Sequence, residues 1–140
     1  MDGKYCSYFR KVNYYETDRM GIVHHSNYIR YFEEARLDMF DKMGLNYADL
    51  EKQNLMIPVL SVDCKYKFPL KYGNEMEIRT TMVKYDGLKM EMAYEIIRDD
   101  GVLCTTGHSM HCILDNNMKP VRMKRDYPEI YNKLKDMVID

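Results

Sequence analysis

The stretch NYIRYFEEARLDMFDKM, residues 27–43, repeats apolar side chains at intervals of four and three positions. These intervals match the turn of an α-helix, so the pattern predicts a helix over Asn27–Met43. The apolar side chains of this helix are Tyr28, Ile29, Phe32, Ala35, Leu37, Met39, Phe40 and Met43. Because they form a broad face, we expect other parts of the protein to surround the helix on most sides.

Both ends of this helix carry boundary signals. Ser26 or Asn27 can cap its start by accepting hydrogen bonds from the first free backbone N–H groups. Gly44 can end it in the left-handed conformation that glycine tolerates. A short helix is expected next, with Asn46 as its cap and Asp49 in its first turn.

The remainder of the chain has patterns that are typical of strands. Aromatic, β-branched or alternating residues predict five strands, over residues 5–15, 55–70, 74–85, 88–96 and 102–114. The pairs Asp86-Gly87 and Asp100-Gly101 join the last three strands into an antiparallel meander, because tight hairpins favour Asp-Gly. A polar surface helix that Pro128 helps to start is expected over residues 127–138.

These elements predict an α+β protein with one antiparallel sheet and one long helix, folded as a single domain over residues 1–140. The last strand is apolar on both of its faces, with Leu103 and Ile113 alternating against Val102 and Leu114. Part of the outer face of the sheet therefore needs cover, and we expect a homo-oligomer.

Composition excludes several classes of protein. The 21 basic and 22 acidic side chains give a net charge of −1, so no overall positive field attracts nucleic acid. No apolar run approaches the roughly 20 residues of a membrane-spanning helix. The four cysteines form no CxxC pair and the first residues lack the apolar core of a signal peptide, so we expect a reduced, cytoplasmic protein.

Two familiar kinds of site are also excluded. His108 and His111 project from opposite faces of their predicted strand, and Cys104, His108 and Cys112 lie about 13 Å apart in succession, too far to share one metal ion. The sequence from Gly107 to His111 begins like a G-x-S-x-G nucleophile elbow, but it lacks the final glycine and lies within a strand. We therefore expect no metal site and no serine nucleophile.

The segment ETDRMGIVHHSNY, residues 16–28, joins the first strand to the long helix. Asp18 precedes Gly21 by three residues, so its carboxylate can close an Asx turn, which spacing alone favours over a catalytic role. A helix N-terminus nevertheless offers unpaired N–H groups that can hold an oxyanion. An aspartate beside it can act on the bound carbonyl as a nucleophile or as a base toward water.

Residues 15–28 closely resemble the signature of the 4-hydroxybenzoyl-CoA thioesterase family of hotdog-fold acyl-CoA thioesterases, and the YbgC-type branch most of all. The resemblance continues through IPVLSVDCKYKFPLKYGNEMEIRT, residues 57–80, and TTGHSMHCILDNNMKPVR, residues 105–122. It implies a hotdog fold, in which a five-stranded antiparallel sheet wraps around a long central helix.

The resemblance also implies roles for individual residues. Asp18 matches the catalytic aspartate, and the backbone N–H of His25 lies where the family polarises the thioester carbonyl. In the YbgC-type branch the histidine side chain at this position is also linked to activity. For the phosphates of coenzyme A, charge and rough family position indicate Lys119 and Arg122, with Lys89 behind them.

The predicted function is therefore hydrolysis of an acyl-CoA thioester to a free acid and coenzyme A. The family implies a homodimer or homotetramer with active sites at subunit interfaces, no metal and no cofactor apart from the coenzyme A of the substrate. Two alternatives stay open: a non-catalytic hotdog protein that binds an acyl carrier protein, and a hotdog hydratase or dehydratase.

Overall fold

The computed structural model describes residues 5–139. Within that range the strands are β1 Tyr5–Lys11, β2 Leu55–Met56, β3 Val59–Tyr66, β4 Glu75–Tyr85, β5 Lys89–Arg98, β6 Leu103–Cys112 and β7 Leu114–Asp115. The helices are α1 Ser26–Lys42, α2 Tyr47–Lys52, α3 Met123–Asp126 and α4 Pro128–Met137, and a short 3-10 helix covers Tyr14–Glu16. None of the helices between residues 5 and 139 combines the length and the apolar character that crossing a bilayer requires.

One antiparallel sheet carries the fold, with the strand order β1-β4-β5-β6-β3. Helix α1 lies against the inner face of this sheet, and Phe32 stacks on Tyr94 of β5 with ring centroids 4.4 Å apart. Gly107 of β6 allows this close approach, because a Cβ atom there would lie 2.5 Å from the Phe32 ring. The α+β class and the five-stranded sheet predicted from the sequence are confirmed.

Local signals fixed most element boundaries. The long helix begins and ends one residue before its predicted bounds, and Gly44 follows it with a φ of +78°, as predicted. Both Asp-Gly hairpins are present, with φ of +96° at Gly87 and +86° at Gly101. The short helix α2 has its predicted cap, because Asn46 Oδ1 accepts a hydrogen bond from the N–H of Ala48 at 2.8 Å.

Three predictions about the strands and the last helix were wrong in part. The first strand ends at Lys11 instead of continuing to Tyr15, and the second divides into β2 and β3, of which β2 leaves the main sheet to pair with β7. Helix α4 is amphipathic and not only polar, since it buries Ile130 and Leu134. Such packing depends on distant parts of the chain, which a local pattern does not report.

The apolar surface that needs cover lies mainly on a different strand from the predicted one. In β6 the apolar side chains are buried or only partly exposed, whereas the edge strand β3 and the segment after it leave large apolar side chains open to solvent. These are Val59, Leu60, Val62, Tyr66 and Phe68, each at least 40% exposed. This uncovered surface therefore runs along the β3 edge of the sheet.

A line of buried polar groups crosses the core between α1 and the sheet. Arg36 donates to the Tyr94 hydroxyl at 3.1 Å, and the Ser109 hydroxyl lies 2.6 Å from both Tyr94 Oη and His111 Nε2. Ser109 is within strand β6 and is 1% exposed, so it is not an accessible nucleophile. His108 is exposed on the opposite face, which confirms the predicted opposite orientation of the two histidines.

We predict that His111 makes stability depend on pH. Burial first and the Arg36 charge second lower the pKa of His111 from 6.5 to about 4. Unfolding then leads to proton uptake between these values, so stability should be full above pH 6.5 and fall as the pH decreases toward 4. The slope due to one proton is at most about 1.4 kcal/mol per pH unit. Urea unfolding of the parent and of His111→Gln at several pH values measures this slope.

His108→Gln is the matched control, because His108 lies on the same strand but faces solvent. It should keep the pH dependence of the parent. His111→Gln should lose the contribution of one histidine to the pH dependence of the free energy of unfolding above pH 4. Equal slopes in all three proteins would show that His111 is protonated in the folded state as readily as in the unfolded chain.

Candidate active site

The segment between β1 and α1 folds as a narrow hairpin. Thr17 forms an antiparallel bridge with Val23, and the N–H of Asp18 donates to the carbonyl oxygen of Ile22 at 2.8 Å. Gly21 turns the chain with a φ of +78° and donates its N–H to the Asp18 carbonyl at 3.0 Å. This hairpin holds Asp18 where the chain reverses before the long helix.

The Asp18 carboxylate closes the predicted Asx turn. Its Oδ1 accepts a hydrogen bond from the N–H of Met20 at 2.8 Å. The side chain is half-buried, and no group of residues 5–139 hydrogen-bonds its other oxygen, Oδ2. The turn and a chemical role are therefore compatible, because one oxygen fixes the conformation and leaves the second free.

The start of α1 differs from the prediction that Ser26 or Asn27 caps it. The cap position is His25, whose side chain makes no capping bond. The neighbouring His24 takes over that task, since its Nδ1 accepts from the N–H of Ser26 at 3.2 Å and lies 2.8 Å from the Ser26 hydroxyl. Asn27 is 7% exposed and turns inward, toward the preceding loop.

One backbone N–H group at this helix start has no partner. The N–H groups of Asn27 and Tyr28 donate to the carbonyls of His24 at 3.0 Å and His25 at 3.3 Å. Nothing within residues 5–139 accepts the N–H of His25. The first turn of this 17-residue helix contains no acidic residue, so the positive end of its dipole is not neutralised from within.

The side chain of His25 is exposed and lies against that of His24. Their ring centroids are 4.2 Å apart at an interplanar angle of 31°. Within the described part of the chain, no side chain or backbone group hydrogen-bonds the His25 ring. The structure thus gives His24 a role at the helix start and leaves the His25 ring accessible to solvent.

A buried ion pair anchors this loop, and sequence reasoning missed it. Arg10 of β1 donates to both carboxylate oxygens of Glu16, at 2.7 Å and 2.6 Å. Glu16 is 4% exposed and also accepts from the N–H of Asn13 at 2.8 Å and from the Tyr31 hydroxyl at 3.0 Å. Arg10 contacts Glu34 of α1 as well, at 2.6 Å.

The charges of this pair are stabilised together. Burial alone raises the pKa of the Glu16 carboxyl, but the hydrogen bonds from Arg10, Asn13 and Tyr31 outweigh burial and hold that pKa below its ordinary value. Both side chains therefore stay ionised near neutral pH. The Asn-x-x-Glu spacing at residues 13–16 is typical of a helix start, and it was the one local signal for a structural Glu16.

The three cations predicted for coenzyme A lie away from this loop. Lys89 begins β5 opposite Cys112, while Lys119 and Arg122 flank Pro120, which bridges to Leu114 just beyond β6. The loop of Asp18 is at the other end of the sheet. The 10 residues of β5 separate the two ends by about 30 Å, so one protomer does not bring these cations to Asp18.

Other chemical groups of the described chain give no sign of a second centre. Among residues 5–139 no three His, Cys, Asp or Glu side chains are placed to hold one metal ion. All four cysteines are free, and burial raises the pKa of the Cys6, Cys64 and Cys104 thiols. A raised pKa disfavours the reactive thiolate, as expected for cysteines without a nucleophilic role.

Known proteins are similar to this chain in sequence over most of its length. YneP of Bacillus subtilis strain 168, named as a candidate acyl-CoA thioesterase, is 34% identical over 120 residues, which are 85% of this chain and 87% of that protein. The acyl-CoA thioesterase YbgC of Haemophilus influenzae is 24% identical over 126 residues, 89% of this chain and 93% of its own.

A solved structure extends this similarity to three dimensions. The DHNA-CoA thioesterase of Staphylococcus aureus superposes with a TM-score of 0.89 at 34% identity, and the match covers 94% of this chain and 89% of that one. The hotdog fold implied by the sequence resemblance is therefore confirmed. The family model of the thioesterase-like superfamily matches residues 12–134, and the chain belongs to that superfamily.

Proposed function

We propose that this protein hydrolyses acyl-CoA thioesters to a free acid and coenzyme A where the Asp18 hairpin meets the start of α1. The observation that carries the proposal is the unpaired N–H of His25, at the start of the helix to which this hairpin leads. The relatives named as acyl-CoA thioesterases support the same reaction.

In this reaction the His25 N–H donates to the carbonyl oxygen of the thioester. Negative charge develops on that oxygen as the carbonyl carbon becomes tetrahedral. An N–H already fixed in direction, at the positive end of a helix, stabilises this charge without reorganisation. The chemistry requires no cofactor apart from the coenzyme A of the substrate.

Asp18 supplies the carboxylate that acts as the nucleophile or as the base. Its free oxygen either attacks the carbonyl carbon, forming an anhydride that water then opens, or removes a proton from an attacking water. In both routes the carbon–sulfur bond breaks and coenzyme A leaves as the thiolate. The Asx turn fixes the carboxylate for either role.

The uncovered edge of the sheet supports an obligate dimer. Strand β3 has a free edge lined by exposed apolar side chains, a surface that natural proteins usually cover. Two copies that pair through antiparallel β3 strands would bury it and join the two sheets. A homodimer is thus the expected unit, and a homotetramer would require a further contact between dimers.

Such a dimer would also bring the cations predicted for coenzyme A close to the Asp18 loop. Antiparallel pairing of the two β3 strands places the far end of one sheet beside the loop end of the other. Lys119 and Arg122 of the partner subunit, with Lys89 behind them, would then approach the Asp18 loop from which they are distant within one protomer. We therefore keep these cations as the contacts to the phosphates of coenzyme A.

Recognition of an acyl carrier protein and the cytoplasmic location stay predictions. A non-catalytic carrier-binding protein would release no thiol from acyl-CoA. A hydratase or dehydratase would change the acyl chain and leave the thioester intact. One assay of thiol release therefore separates the proposed function from both alternatives.

We predict that Asp18→Asn lowers kcat about 10²–10⁴-fold, the usual contribution of a catalytic acid or base. The asparagine keeps an Oδ1 atom for the N–H of Met20, so the turn should persist while the charge is lost. The measurement is thiol release from short, branched, long and aryl acyl-CoAs. DHNA-CoA is the aryl member, because the Staphylococcus aureus neighbour is a DHNA-CoA thioesterase.

Asp86→Asn is the matched control for this substitution. Asp86 also uses Oδ1 to close a turn, accepting from the N–H groups of Leu88 at 2.9 Å and Lys89 at 2.7 Å. This variant should keep the parent rate. An Asp18→Asn protein that is as fast as the parent, or a parent that hydrolyses no member of the panel, would contradict the proposal.

We predict that His25→Ala distinguishes a catalytic role of the His25 backbone N–H from a catalytic role of its imidazole ring. If only the backbone N–H acts, kcat should stay within about threefold of the parent, well below the 10²–10³-fold cost of losing an oxyanion donor. His24→Ala is the comparison, because it removes the Nδ1 that accepts from Ser26. A loss of 10²-fold in His25→Ala alone would assign the chemistry to the ring.

We predict that Lys119→Ala combined with Arg122→Ala raises KM and leaves kcat unchanged. Exposed charge pairs contribute about 1 kcal/mol or less, so each cation should change KM at most about fivefold. The effect should shrink at high salt. Lys52→Ala with Lys133→Ala removes two charges from helices α2 and α4 and should leave KM unchanged. Equal KM values for the two double variants would remove Lys119 and Arg122 from the substrate site.

A further inference from the structure

The side chain of Asn27 contacts the two segments whose relative position the proposed reaction depends on. Its Nδ2 donates to the carbonyl oxygen of Glu16 at 3.0 Å and to that of His24 at 3.4 Å. Glu16 lies two residues before Asp18, while His24 shares a peptide unit with the His25 N–H. Asn27 itself is 7% exposed, so water does not compete freely for these bonds.

The planarity of the peptide bond gives the second contact a directional consequence. The His24 carbonyl and the His25 N–H belong to one trans peptide, so they point in opposite directions. Asn27 binds that carbonyl twice, through its backbone N–H at 3.0 Å and its side chain at 3.4 Å. Because this carbonyl points toward Asn27, the N–H of His25 points away from Asn27.

The first contact ties His24, the residue before that N–H, to the Asp18 hairpin. The Glu16 carbonyl accepts from the N–H of His24 at 2.8 Å as well as from Asn27. Bonds at both ends of His24 therefore restrain its rotation. Donors to a peptide carbonyl also polarise the N–H of that peptide, which makes it a better donor.

We propose that Asn27 is the positioning residue that aims and polarises the His25 N–H toward the thioester oxygen. This inference rests on the proposed function, because it assigns that N–H as the oxyanion donor. Asn27 does not touch the substrate. It acts through the His24–His25 peptide, so its loss should reduce transition-state stabilisation more than substrate binding.

The test compares Asn27→Ala with Asn46→Ala. Asn46 also caps a helix start, that of α2, through a bond to the N–H of Ala48, and it lies outside the Asp18 loop. For Asn27→Ala we expect kcat to fall about 10- to 100-fold with KM within twofold, since losing a whole donor costs about 10²–10³-fold. Asn46→Ala should lower the unfolding temperature and leave kcat unchanged.

A second measurement does not depend on turnover. In two-dimensional ¹H–¹⁵N spectra, the His25 amide of the parent should shift when a ketone analogue of acyl-CoA, in which CH₂ replaces the thioester sulfur, is added. In Asn27→Ala the free-protein His25 resonance should already be displaced, and the analogue should move it less. A purely stabilising role would lower the unfolding temperature without changing this response.

The outcomes separate the two proposals. If Asp18→Asn is inactive but Asn27→Ala keeps kcat within twofold, Asn27 is not a positioning residue and the thioesterase proposal stands. A raised KM with unchanged kcat also overturns the role of Asn27. If the parent hydrolyses no acyl-CoA, the thioesterase proposal fails, and the His25 resonance decides about Asn27: displacement supports the orientation of the peptide, and an unchanged resonance overturns it.

Discussion

The bidentate ion pair between Arg10 and Glu16 is the contact on which the arrangement of the loop depends. It joins β1 to the segment that carries Asp18, and Arg10 extends it to Glu34 on α1. Removing Arg10 would leave the buried Glu16 carboxylate uncompensated, which costs several kcal/mol. The pair therefore fixes where the loop leaves the sheet and how it approaches the helix.

Hydrogen bonds to the backbone connect this ion pair to the candidate site. The Glu16 side chain holds the 3-10 turn, and its carbonyl receives the His24 N–H and the Asn27 amide. The atoms to which we assign the reaction are then one carboxylate oxygen of the half-buried Asp18 and the unpaired N–H of His25, at the two ends of a well-bonded loop. Such preorganisation suits a reaction whose charge appears only in the transition state.

In the proposed dimer, the free edge of β3 would determine which ends of the two protomers meet at the substrate. Within one protomer, the basic residues near Pro120 and the Asp18 loop lie at opposite ends of the sheet. Antiparallel pairing of two such edges would remove an exposed apolar surface and bring opposite ends together. The contact that would bury the apolar edge is thus the same contact that would let a long, phosphorylated substrate bind across two subunits.

Much of the fold was predictable because its signals are local. The helical repeat of residues 27–43, the two Asp-Gly hairpins and the glycine after α1 each act within a few residues, and the structure has all of them. The Asx turn at Asp18 belongs to the same group. The division of the second strand was missed, because β2 pairs with β7 from a distant part of the chain.

The residue pattern before the long helix was enough to name the candidates for chemistry at this helix start, and the family resemblance selected Asp18 and His25 among them. The folded chain was needed to show that Glu16 is a buried anchor and that Asn27 faces inward. It also showed that His24, and not Ser26 or Asn27, accepts at the helix start. Glu16 and Asn27 each bond a partner outside their own turn, since Tyr31 donates to the Glu16 carboxylate and Asn27 donates to the Glu16 carbonyl. The bond from Ser26 to His24 is local, but the sequence pattern did not distinguish it from a cap by Ser26 or Asn27. A hydrogen bond between distant segments exists only after the sheet and the helix have brought them together.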